Sequence, residues 1–487
     1  MKNSRLISLI ETLSPIELRR LKDFVYSPYF NKHKGVIALF ERLATSYPDF
    51  SVSSLNRERL SETLLEAPIN LQQLQDITSY LTRLVERFIA QERWEAQDLL
   101  KHEQLVLSLR ERQALREHQR AYNKWQRLLP AEESAANLGL NYQFEAEGMH
   151  TQVLERKRKS APQLRQTIEA FDHYYFVNRL RYACALLNRK EVLADPAELD
   201  WARKLHQVIG QSLEVEAIPK LLLVYHQLFL LLETQQEDVF EKIQLVLERN
   251  KQEIEKISLR EVYAHLVNYC IKQLNEGKIS YQSRLFQLYQ DQLAQGLLLE
   301  AGRISPADYK NIVSLALRNE AFSWVEAFIE DYKNKLPPEQ QQAAYRYQKA
   351  NLYFHQGDYS ACLRLLRTHE FSDTFYQLGA KTIVLKVHFE TEDFEAFYYA
   401  ADAFASYLKR NRKIPNYQKE LYYNLIRFSK RLAKLYIQHR IGIRSIKKVQ
   451  LLRFQERLNK HQKIAQSLWI LNKTQRLLTE QGLTSDS

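Results

Sequence analysis

The chain has 487 residues and a formal net charge of +12, from 70 Lys and Arg against 58 Asp and Glu. That length exceeds what one hydrophobic core can fill, so several domains or a repeat array are required. Hydrophobic residues at 45% suffice to fold it, while eleven glycines and twelve prolines are too few for a β-sandwich or a turn-rich enzyme. All-α is the class that remains.

Residues 1–15 hold no uninterrupted apolar core of signal-peptide length, since Glu11 interrupts early. Ser14-Pro15-Ile16-Glu17 reads as a helix start, with a serine cap, proline in the first turn and a glutamate to close the capping box. Further helices are predicted over 35–44, 56–65 and 71–95, the last burying Leu74, Ile77, Leu81, Leu84 and Phe88. Residues 1–95 therefore form a helical module. Charge disfavours a winged-helix reading: the candidate recognition helix sets only Arg83 and Arg87 against Asp76 and Glu86.

Residues 96–161 read as a connector. One long charged helix is predicted over 93–127, with Trp94, Leu99, Leu105 and Leu109 as its apolar positions and breaks at Pro130, Gly139 and Gly148. Arg156-Lys157-Arg158-Lys159 is either a phosphate-binding patch or a solvated face. An aromatic-rich helix follows over 163–189, then helices over 219–233, 239–249, 258–274 and 281–294. The longest apolar run, 221–232, is twelve residues and contains His226 and Gln227, so it reads as a buried helix too short to span a bilayer.

Residues 311–410 repeat a helix, turn, helix plan three times. The polar breaks end before Phe322, Tyr359 and Phe394, at intervals of 37 and 35 residues, the period of stacked two-helix repeats. In the middle unit Ala343, Tyr347, Ala350 and Phe354 share a helix face, and Gly357-Asp358 makes the turn and cap. In the third, Phe394, Phe397, Ala401, Phe404 and Leu408 run 3, 4, 3, 4. Stripes this wide need a neighbouring pair to cover them.

Ala350, Tyr353 and Gly357-Asp358-Tyr359 together resemble the tetratricopeptide repeat, although Cys362 and Phe397 stand where that family usually has alanine. The chain is similar to a degenerate tetratricopeptide (TPR-like) array over roughly the 100 residues of 311–410, and less regularly spaced helix pairs extend the TPR-like repeats to 162–410. The resemblance implies a right-handed α-solenoid of stacked antiparallel helix pairs, used for protein–protein contact. It also implies that the first helix of each unit lines a concave groove. Tyr347, Asn351 and His355, four apart, then become candidates for holding a peptide, or for packing on the next unit.

Residues 411–487 read as a basic helical segment. Between 409 and 463, seventeen Lys and Arg face Glu420 and Glu456 alone, a local +15, so the rest of the chain sums to −3. Interleaved aromatics predict folded helices. Arg427, Lys430, Arg431 and Lys434 form one ridge, with Leu425, Phe428, Leu432 and Leu435 on another face. The ridge is the candidate for polyanion binding, nucleic acid included.

No HExxH, phosphate loop, GxSxG or metal-like cluster occurs, so neither catalysis nor a cofactor is expected. His226, His265 and His388 read as helix residues, and Cys184, Cys270 and Cys362 as apolar fillers with no CxxC pair, which points to a reducing cytoplasm. Glu132-Glu133 reads as a helix-start pair favoured by the dipole. The expected function is a cytoplasmic, non-membrane protein-interaction scaffold. Nucleic-acid binding through the basic helices is the alternative.

Overall fold

The structure, a computed structural model, describes residues 4–50, 56–154, 162–188, 196–212, 218–367, 371, 373–441, 448–461 and 463–480. The basic tetrad at 156–159 lies outside these, as do residues 481–487. Among the described residues are twenty-three α-helices and one short antiparallel hairpin, Leu299–Glu300 with Arg303–Ile304. The fold is all-α. None of the described helices is long and apolar enough to cross a membrane. Two compact units divide the chain: residues 1–181 with 202–223, and residues 182–201 with 224–487.

The first unit opens with α1 (Arg5–Glu11), α2 (Pro15–Tyr26), α3 (Lys34–Ala44), α4 (Arg57–Thr63) and α5 (Leu71–Glu95). Ser14 and Glu17 close a capping box on α2, and Asn70 and Gln73 close another on α5. All five apolar positions expected on α5 are buried, in one core with Leu21 and Phe40.

The single long helix expected over 93–127 is not formed. Instead α6 (Asp98–Glu111) and α7 (Leu115–Leu128) fold back on each other. Gln113 makes the turn in the left-handed region at φ 57°, and its N–H donates to the Arg110 carbonyl at 2.9 Å. Burial drives this reversal. Folding back packs Val106 and Trp125 with Phe144 of α8 (Ala135–Leu154), where a straight helix would leave them in water.

Gly139 and Gly148 also differ from expectation, since both lie inside α8. A methyl group at Gly139 would stand 3.0 Å from the Tyr174 ring, and one at Gly148 would stand 2.5 Å from the Tyr122 hydroxyl. They permit close helix approach and break nothing. Glu133 does serve a helix start, though that of another helix: its carboxylate accepts from the Leu221 N–H at 2.8 Å.

Three helices carry residues of both units: α9 (Pro162–Asn188), α10 (Pro196–Ser212) and α11 (Lys220–Thr234). The second unit continues with α12 (Glu237–Asn250), α13 (Lys256–Asn275), α14 (Tyr281–Ala294), α15 (Pro306–Arg318), α16 (Phe322–Tyr332), α17 (Pro338–Gln356) and α18 (Tyr359–Arg367). It ends with α19 (Thr374–Glu390), α20 (Phe394–Arg410), α21 (Asn416–Ile441), α22 (Lys448–Lys460) and α23 (Ser467–Glu480).

Four of its turns share one backbone device. Gln235, Glu320, Gly357 and Glu392 all have positive φ, between 54° and 82°, two residues before the next helix begins. After three of them the first helical N–H reaches back to the left-handed residue: Phe322 to Glu320, Tyr359 to Gly357 and Phe394 to Glu392, at 2.9–3.0 Å. Only Gly357 takes that conformation without steric cost.

Phe397, Ala401, Phe404 and Leu408 of α20 are buried as their spacing predicts. On α17 the stripe differs from expectation. Of its four residues only Ala350 is fully buried, and Ala344, Gln348 and Leu352 join it. Because α17 packs on α15, α16, α18 and α19, its covered arc is wider than one stripe.

Candidate functional site

The structure brings Tyr347, Asn351 and His355 together on the wall of one cleft of about 280 Å³. α15 contributes Lys310, Ser314, Leu317 and Arg318, whose spacing of 4, 3 and 1 places them on a single helix face. α19 contributes Phe375, Gly379, Thr382, Ile383 and Lys386, while Tyr422 of α21 and Gln466 close one end. A methyl group at Gly379 would stand 2.5 Å from the Tyr347 ring, so the missing side chain is what lets Tyr347 lie flat against α19. Tyr347 thus packs on the neighbouring helix and lines the cleft at once.

The cleft is cationic. Lys310, Arg318 and Lys386 line it, and no carboxylate is among its described lining residues. Lys310 Nζ sits 4.4 Å from the centre of the Phe375 ring, and Lys386 Nζ sits 4.9 Å from Phe354 and 5.6 Å from Trp469. Lys386 also donates to Gln466 Oε1 at 3.1 Å. Burial brings its ammonium down to about 8, with Glu390 opposing. Glu390 itself is engaged by the Trp469 indole N–H at 2.9 Å and by Lys473.

His355 Nδ1 lies 2.9 Å from the Asn351 carbonyl. Burial holds this imidazole below its usual range, the hydrogen bond works the other way, and the charges of Lys386 and Arg318 lower it further. It is therefore neutral near pH 7. The cleft's positive charge comes from the two lysines and the arginine. These cations escaped the sequence reading, although the spacing of Lys310, Ser314, Leu317 and Arg318 was a usable signal.

The predicted basic ridge on α21 divides in two. Lys430 turns to Asp402 of α20 at 2.6 Å, and Arg427 stacks over Phe428 with its guanidinium 2.7 Å from His461 Nε2. Arg431 and Lys434 instead face α22, where they line a groove of about 300 Å³ with Arg453 and Arg457. Leu425, Phe428 and Leu432 are buried as expected, with Leu435 partly so.

Other hollows and polar clusters hold less chemistry. The hollow between α2 and α5, about 600 Å³, is larger than the cleft, but its charges are already engaged: Arg20 pairs with Glu92 at 2.7 Å, and Glu17 caps α2. In the first unit Glu147 is buried against both Arg110 and His118, the latter at 3.2 Å, so its carboxylate is engaged internally. Among the described residues no three His, Cys, Asp or Glu side chains converge as metal ligands do. Burial pushes the Cys270 and Cys362 thiols up to about 12 and raises Cys184 as well, so none is poised as a nucleophile. His265 and His388 are buried, and burial lowers both.

Comparison with protein families, curated proteins and solved structures finds no match for this chain.

Proposed function

We propose that the second unit is a non-catalytic protein-interaction scaffold, a tetratricopeptide-like array of helix pairs whose cleft receives an acidic segment of a protein partner. The observation that carries this reading is the cleft's charge: Lys310, Arg318 and Lys386 with no lining carboxylate, on faces of α15 and α19 either side of α17. Lys310 and Lys386 are each seated against an aromatic ring, so they are held in place before a ligand arrives, which lowers the ordering cost of binding. Asn351, Ser314 and Gln466 add hydrogen-bonding groups for an extended backbone. A reducing cytoplasmic setting suits three buried free thiols.

Fluorescence anisotropy with acidic and basic synthetic peptides of equal length tests the reading. Acidic peptides bind, basic ones do not, and K310E/R318E/K386E weakens the acidic complex by at least about tenfold, or about 1.4 kcal/mol. Affinity also falls as pH rises through about 8, where Lys386 loses its proton and the cleft one positive charge. Equal binding of both peptide classes, or an indifferent triple variant with an intact helical spectrum, overturns the proposal.

A further inference from the structure

We infer that the groove between α21 and α22 binds the phosphodiester backbone of a nucleic acid, reading charge without reading bases. The inference stands apart from the peptide cleft and rests on how the fold distributes its carboxylates. Six cations of the C-terminal segment are matched: Lys430 with Asp402, Arg440 with Glu392, Lys460 with Glu456, Lys463 with Glu420, Arg476 with Glu480 and Lys473 with Glu390. Arg431, Lys434, Arg453 and Arg457 are exposed and in no ion pair among the described residues. All four line the same groove.

Helical spacing produces the convergence. Arg431 and Lys434 are three apart on α21, Arg453 and Arg457 four apart on α22, so each pair shares a face. Packing of Phe428 on Phe454, ring centres 5.9 Å apart, sets those faces toward a common space. The adjacent carboxylate is Glu456, whose pKa is lowered first by Lys460 and only weakly by Arg457 and Arg453. Four like charges lining one groove repel, and a polyanion entering it relieves that repulsion while releasing its own counter-ions.

The chemistry favours phosphate over a peptide carboxylate. Three of the four cations are arginines, whose planar forks match phosphate oxygens two at a time. Gln438 and Gln450 add amide donors at the groove wall. The floor is Leu435 and the buried Phe454, so among the described lining residues no exposed ring is offered on which a base would stack. Backbone contact without base readout is what such a surface provides.

The test uses the full chain and labelled oligomers of about 20 units: single-stranded RNA, duplex DNA and polyglutamate. Engaging four phosphates gives a log–log salt slope of about −2.8 on the single strand or about −3.6 on the duplex, so affinity drops about 50- to 150-fold between about 50 and 200 mM salt. R431Q/K434Q/R453Q/R457Q flattens that slope and weakens binding at least about tenfold. A charge-matched control, K409Q/R412Q/K413Q/K419Q at the α20–α21 turn, stays within about threefold of the native protein if the groove is the site. Should the quadruple groove variant lose its helical spectrum, the R431Q/K434Q and R453Q/R457Q doubles carry the comparison, each with part of the loss. Failure of both nucleic acids to bind overturns the inference. So does an equal loss in the turn variant, and so does polyglutamate binding that matches RNA and disappears with the groove cations.

Discussion

The α6–α8 core of the first unit and the α19–α21 core of the second bury helix faces by opposite means. In the first, the carboxylate of Glu147 lies inside the protein and is held by Arg110 and His118 beside a small cluster of Val106, Trp125 and Phe144. In the second, Phe389 meets Phe397 and Tyr436 edge-on at 5.7 and 5.1 Å, and Phe404 fills the next layer among apolar side chains. A buried ion network keeps its value only while every partner is present. An aromatic core loses stability in proportion to the volume removed. The two regions are therefore separable by experiment.

Truncation separates them most sharply. Phe404→Ala removes a fully buried ring and costs about 3–5 kcal/mol, read from denaturant melts and from new protease cleavage near α20. Glu147→Gln keeps volume but strips the charge, and costs about 3 kcal/mol, because the Arg110 guanidinium is left without its counter-charge. A loss under about 1 kcal/mol there would show that the network contributes little net stability.

Gln348 makes the second unit's apolar packing imperfect. It is fully buried on α17, and neither of its amide atoms has a hydrogen-bond partner among the described residues. Gln348→Leu stabilises the protein by about 1–2 kcal/mol, and no gain in melts would mean that the amide is satisfied in solution. The turns are common to both regions. Gln113→Gly and Glu320→Gly, relieving φ of 57° and 58°, each add about 0.5–1 kcal/mol whichever core they serve.

The mildest contrast is with pH. Burial depresses His265 and His388 of the second unit. The unfolded chain takes up protons on them near about 6.5 while the native state does not, so stability falls as pH drops below that value. Melts from pH 7 to 5.5 check the sign, and His388→Gln reduces the slope.

Local signals were legible and long-range ones were not. The capping box at Ser14, the breaks before Phe322, Tyr359 and Phe394, and the burial of Phe404 all follow from spacing within one or two turns. The α6–α7 reversal was hidden because Gln113 closes it through backbone geometry with no glycine or proline to mark it. Gly139 and Gly148 misled in the other direction, since what they accommodate is Tyr174 and Tyr122, distant in sequence. At the sites, the α21 face was readable. That Asp402 takes Lys430, and that α22 delivers Arg453 and Arg457 to the same groove, depends on packing across 19 or more residues.

The three native cysteines have a practical consequence. Cys184, Cys270 and Cys362 sit on α9, α13 and α18, fully buried and with thiols raised by their surroundings. A thiol reagent reaches each one only when its own helix opens, so modification rates under native conditions measure local breathing and bypass global unfolding. The second unit thereby carries three intrinsic reporters along its length. Mass spectrometry of timed samples can rank the opening of successive helix pairs with no engineered label.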